Sequence, residues 1–374
     1  KAQELLQTRN YSAKLREKYG LKGLTSDTDD VLFSRRKSST PIESAVDLAN
    51  EKYSDYNTRI EEEFFKRFWP KLLSEVKGTV STDKVRTAAK RANKDIKKFV
   101  HNNPRYRDYY NQDMAAVRKL LGNHLSLKYG KNVTDEDLRL YQLFNGLNSA
   151  NTKLSSNVGD AINVFNLFQE KGNLDDIVLG LSKKGNVVII DSPFQISGTS
   201  SPIKGRSLKA VDRLIKLNSN RKNPVQATVD FLHEGVPLKE LQQFNRQMGY
   251  KSNVTDIKEI KSLVMEATGQ DELIPRMFIF GKKVGAYTLN LTGDHRYTTI
   301  DIWESRFIRT YFDGLFKERT GLPDVVEEGL LFQDFSKKFG EEYERLNGIK
   351  LAPSALQAMR WFYIIDASRR AGYS

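Results

Sequence analysis

Lys283 and Asp301 stand eighteen residues apart, and the chain between them reads as a helix followed by a return. Residues 284–291 are apolar at helical spacing. A polar turn follows, Gly293-Asp294-His295-Arg296, and then a β-branched approach, Thr298-Thr299-Ile300, that ends on Asp301. A lysine therefore begins one helix and a carboxylate begins the next. An amine and a carboxylate converging on one cleft are the groups that excision of a base from DNA requires. The amine attacks the sugar carbon and forms a Schiff base, and the carboxylate stabilises the positive charge that develops on the sugar. The competing reading of such a pair is a surface salt bridge, which needs no cleft.

A nucleophilic lysine must be neutral at working pH, so its pKa must fall below the usual ~10.4. Lys282 beside it in sequence and a helix N-terminus both favour that fall; a carboxylate at short range opposes it.

Helical patterning fills most of the chain around this pair. Stripes at 42–49 and 64–76 are core-like. Ser81-Thr82-Asp83 caps a third helix. Further helices are expected over 113–129, 134–148, 155–171, 207–218, 223–233, 237–248, 255–268, 271–280, 281–292, 301–319, 324–345 and 353–371. Residues 185–191 form a β-like run, and 192–205 are rich in Ser, Gly and Pro. Residues 173–206 are therefore expected to be an insertion with a short hairpin or irregular loop, in which Pro202-Ile203-Lys204-Gly205-Arg206 reads as surface. Three regions follow: a linker-like segment 1–45, a basic helical region 46–104, and a helical domain 105–374.

The third helix concentrates cations: Lys84, Arg86, Lys90, Arg91, Lys94, Lys97 and Lys98, then Arg105 and Arg107, with tyrosines at 106, 109 and 110. The whole chain of 374 residues carries a formal charge of +13. Lysines and arginines displace counterions from phosphate, so a polyanion, duplex DNA held by its backbone, is the expected partner. Lys90, Arg91, Lys94, Lys97, Lys98, Arg105 and Arg107 are its candidate phosphate contacts. Gly281 and Lys282 join them, because the amides that open the helix after Gly281 suit an anion.

Other chemistries find no support in the residues. The chain has no cysteine, which excludes disulfides and thiolate metal sites, and its four histidines lack ligand spacing. No phosphate-binding glycine loop and no G-x-S-x-G elbow occurs. No apolar run approaches a membrane span, and no signal-peptide core opens the chain. No cofactor is expected.

The stretch 281–306 resembles the helix-hairpin-helix DNA glycosylases, the endonuclease III-like superfamily, whose signature runs G-x-K-T-A…V-D-T-H-x-x-R. Gly281, Lys283, Asn290, Asp301 and Arg306 fall on matching positions. Residues 143–151, ending Asn148-Ser149-Ala150-Asn151, look like the segment L-x-x-x-L-L-S-x-Q, whose amide fills the gap left by a flipped base. The chain looks closer still to divergent glycosylase-like domains of large phage proteins, through Asn290-Leu291-Thr292-Gly293-Asp294 and through 353–361 with its Leu356-Gln357-Ala358 and Trp361. It departs from the signature where Phe278-Ile279-Phe280-Gly281 replaces the L-P-G-V-G hairpin and where Trp303 replaces a histidine.

The resemblance implies an all-α, two-lobed helical domain with Lys283 as nucleophile and Asp301 as its carboxylate. Trp303 would stand beside the base pocket and Asn151 would intrude into the duplex. It also implies a phage protein acting in the virion or host cytoplasm, with other virion proteins as further partners. The alternative function is a non-catalytic DNA-binding or virion-structural protein built on the same scaffold.

Overall fold

The computed structural model describes residues 80–103, 106–107, 109–149, 154–181, 187–194, 202–248, 257–312 and 326–370. The expected segment 1–45, the stripes at 42–49 and 64–76, Arg105 and Asn151 lie outside the described residues.

The fold is all-α with small β ribbons. Twelve helices are found among the described residues: α1 Thr82–Asn102, α2 Tyr109–Tyr129, α3 Asp135–Asn148, α4 Leu154–Lys171, α5 Pro202–Leu217, α6 Pro224–His233, α7 Leu238–Gln247, α8 Ile257–Thr268, α9 Lys282–Leu291, α10 Ile302–Arg309, α11 Val326–Asn347 and α12 Pro353–Arg370. Two antiparallel ribbons accompany them, β1 Val178–Leu181 with β2 Val187–Asp191, and β3 Gly235–Pro237 with β4 Leu273–Pro275. No described helix is long and apolar enough to cross a membrane.

Local chemistry sets the helix starts. The Ser81 hydroxyl accepts from the Lys84 amide at 3.4 Å and opens α1. Thr134 and Asp137 form a reciprocal capping box at α3. Three expectations change. The helix expected over 301–319 ends at Arg309 and gives way to a turn at 310–312. Residues 271–280 are not an α-helix but β4 and a 3₁₀ turn, Arg276–Phe280. Pro275 has no amide for a helix ladder, and Ile274 pairs with Val236 of β3 instead. Residues 202–206 are the first turn of α5, not an irregular loop, and Lys204 within them is fully buried.

Burial divides the apolar residues between two cores. One gathers α2 to α9 with β3, β4 and the 3₁₀ turn. The other gathers α1, α10, α11 and α12, together with Tyr106, Tyr109 and Tyr110. Helix α1 buries Val85, Ala88, Ala89, Ala92, Ile96 and Val100, and Asn93 on the same face donates to the Phe339 carbonyl of α11 at 3.0 Å. Buried Val85, Ile96 and Val100 each contribute about 1.5–3 kcal/mol, and each alanine methyl about 0.8 kcal/mol. The basic region thus shares a core with the C-terminal helices.

The segment from α9 to α10 passes from one core to the other. Leu289 and Tyr297 belong to the first, Leu291, Ile300 and Phe307 to the second. The turn between them is held by buried Asn290, whose amide donates to the Tyr297 carbonyl at 2.8 Å and to Thr299 Oγ1 at 3.2 Å.

Candidate functional site

Gly281 precedes α9 with φ of 95°, a backbone conformation that suits glycine and aims the chain out of the 3₁₀ turn. The two lysines that follow point to different neighbours. Lys282 Nζ lies 2.7 Å from the Glu259 carboxylate of α8, with little of either side chain exposed. That carboxylate sits against Gly329 of α11, where any Cβ would overlap it. Lys282 therefore ties α9 to α8, and its charge is engaged by that carboxylate.

Lys283 turns to the end of α3. Its Nζ donates to the Ser149 carbonyl at 3.4 Å. Helices α3 and α9 approach closely here, because a Cβ on Gly146 would collide with the Thr288 side chain. The Ser149 carbonyl belongs to the orphan carbonyls that give a helix C-terminus its partial negative charge.

Asp301 is the N-cap of α10. Its Oδ1 accepts from the Glu304 amide at 2.7 Å, and its carbonyl accepts from the Ser305 hydroxyl at 2.7 Å. Lys283 and Asp301 influence each other electrostatically in both directions, yet no direct ion pair joins them. Burial pushes the Lys283 amine below the usual lysine range, with Asp301 opposing. Burial pushes Asp301 up, opposed by Lys283, the amides of Glu304 and Trp303, and Arg306. Taken as whole residues, both are partly exposed. The two groups stand where an element of the first core meets the opening of an element of the second.

The polar surroundings extend into α4 and α5. Asn157 donates to Asn145 at both its carbonyl, 3.0 Å, and its Oδ1, 2.7 Å. One turn further, Asp160 pairs with Lys204 at 3.5 Å, both buried. Burial lowers the Lys204 pKa, Asp160 opposes, and the Lys283 charge lowers it further. Lys204 is a charged residue that sequence reasoning placed on a surface loop. The signal available was only a lysine two residues after Pro202, a residue that suits a helix start.

Other expected residues fall elsewhere. Trp303 is 2% exposed and packs in the second core with the Arg306 guanidinium 4.8 Å above its ring. It supplies core contact, because the first turn of α10 faces inward. Tyr106, Tyr109 and Tyr110 are buried too, Tyr106 stacking on Phe362 at 4.2 Å, so they are not part of an exposed phosphate-binding face. Lys90, Arg91, Lys94, Lys97 and Lys98 are exposed on the face of α1 opposite its core residues, while Arg107 is half-buried. Among the described residues no cluster of His, Asp and Glu could hold a metal ion.

Comparison with family models, with curated proteins and with solved structures found no match to this chain.

Proposed function

We propose that the junction of α9 with the start of α10 is a base-excision site, in which Lys283 is the amine nucleophile and Asp301 its carboxylate partner, on DNA held partly by the exposed cations of α1. The observation that carries this reading is the state of Lys283: an amine taken out of water whose hydrogen bond goes to the Ser149 carbonyl, near a carboxylate without being locked to it. A direct ion pair would hold the amine charged and unreactive; desolvation favours the neutral form that attacks.

In the proposed reaction the neutral amine bonds to C1′ of the nucleotide and the glycosidic bond breaks. The base leaves with the bonding electron pair and takes up a proton. The amine then loses a proton as the sugar ring opens to the protonated Schiff base, which water hydrolyses. Asp301, once ionised, stabilises the positive charge on the sugar. The cations Lys90, Arg91, Lys94, Lys97 and Lys98 would make sequence-independent phosphate contacts.

One observation favours a second reading, a non-catalytic DNA-binding scaffold: Lys282 and Trp303, both expected at the DNA, are spent on packing and an internal ion pair. Borohydride trapping separates the two. Duplex DNA carrying an abasic site is incubated with the protein and reduced, and the cross-linked residue is mapped. A cross-link through Lys283 supports excision chemistry. No cross-link on abasic DNA or on a panel of modified bases, with duplex binding intact, supports the scaffold.

A further inference from the structure

Asp301 is anchored from behind by a buried network that the proposed chemistry does not use. Glu304 follows it on the first turn of α10 and is fully buried, as is Arg360 of α12. Arg360 Nε donates to Glu304 Oε1 at 2.7 Å, and Nη2 lies 2.6 Å from the same oxygen. Ser336 of α11 adds a donor at 3.4 Å. The same Glu304 gives its backbone amide to Asp301 Oδ1 at 2.7 Å. One residue is thus held by its side chain to α12 and by its backbone to the candidate catalytic carboxylate.

The pair is poorly designed as glue. Among the described residues Glu304 Oε2 and Arg360 Nη1 have no hydrogen-bond partner, and buried charges left incompletely satisfied give little net stability compared with apolar side chains of the same shape. What it supplies well is a fixed position: a planar guanidinium gripping one carboxylate oxygen allows the first turn of α10 little freedom to rotate.

We propose that Arg360 is a positioning residue for Asp301: acting through Glu304, it holds the opening of α10 so that the carboxylate stays directed at Lys283. This rests on the base-excision reading. Misplacement of a catalytic group by about 1 Å slows a reaction by up to about a hundredfold without weakening substrate binding.

The test is the rate of borohydride trapping on abasic duplex DNA, at saturating and at limiting DNA. The double variant Arg360→Met with Glu304→Leu replaces the pair by apolar groups. It is expected to melt at or above the parent temperature, to trap about tenfold or more slowly at saturating DNA, and to half-saturate at the same DNA concentration. Glu304→Gln keeps the acceptor for Arg360 and the backbone amide, and is expected to recover most of the rate lost in the double variant. A folded double variant that traps at the parent rate overturns the proposal and leaves Lys283 as nucleophile. Should the double variant not fold, Arg360→Lys decides: slowing with unchanged half-saturation supports positioning, and an unchanged rate overturns it. If the parent itself traps nothing, the base-excision reading falls and the positioning role falls with it.

Discussion

Helix α9 presents two lysines to two sides of the molecule, and their fates differ. On the α8–α11 side, Lys282 meets a buried carboxylate at 2.7 Å and becomes a structural cross-tie. On the α3–α10 side, Lys283 meets a carbonyl at 3.4 Å and a carboxylate that it feels without a direct ion pair. Burial takes water from both. Only the first receives an ion-pair partner in return, and the second is left with a lowered pKa. Contact distance to the carboxylate, more than burial, separates a tie from a candidate nucleophile.

The sharpest way to break this contrast is Lys283→Met. Schiff-base trapping should disappear, while duplex affinity should change less than about threefold, because at most one phosphate contact is lost. Residual trapping at the parent rate would move the nucleophile elsewhere. Lys282→Met should act on the other property. It removes the 2.7 Å ion-pair partner of the buried Glu259 carboxylate and should destabilise the fold by up to about 3–5 kcal/mol, read from denaturant unfolding. A loss below about 1 kcal/mol would show that the tie is worth no more than a surface pair.

Asp301→Asn should slow trapping by about ten- to a hundredfold, since the charge facing the sugar is gone. Stability should fall by less than about 1 kcal/mol, because Asn caps a helix about as well as Asp. A parallel loss of stability and rate would reduce Asp301 to a helix cap. Changing Lys90, Arg91 and Lys94 together to Ala should weaken duplex binding about tenfold at low salt and lower the slope of log affinity against log salt by about 2–3. All three are exposed, so the melting temperature should hardly move. Unchanged affinity would remove α1 from the DNA interface.

The smallest expected effect concerns pH. Burial pushes the Glu304 carboxyl up to about 7, against the opposing pull of Arg360. A carboxyl whose pKa is raised on folding binds its proton more tightly in the native state. Its contribution is therefore most favourable below its unfolded pKa and declines as pH rises towards 7. Unfolding measured at pH 5 and pH 8 should show a decline that Glu304→Gln flattens. An identical decline in the variant would assign it to other groups, of which Glu266, also raised to about 7, is the first to test.

Much of the framework was legible in the residues because its causes are local. Ser81 opening α1, the Thr134–Asp137 capping box and the apolar spacing of 284–291 all act within a turn or two of chain. The turn that brings Asp301 back to the start of a helix was legible for the same reason, with Gly293 and the β-branched approach marking it. Where local reading failed, a distant partner intervened. Pairing with β3 captured 273–275 from an expected helix, and packing drew Trp303 and the three tyrosines inward although their surroundings are rich in cations.

The order of most of the helices, and the placement of a lysine and an aspartate at successive helix starts, follow from periodicity, caps and turn residues alone. The environment of those two groups does not. Lys283 finds its acceptor 134 residues away in sequence, Lys282 its carboxylate 23 residues away, and Glu304 its arginine 56 residues away. Whether an amine keeps its water, meets a carboxylate directly or meets only a carbonyl depends on which helix packs over it. Helical spacing specifies which face is apolar, but not which partner covers it, and the electrostatics of the site reside in that partner.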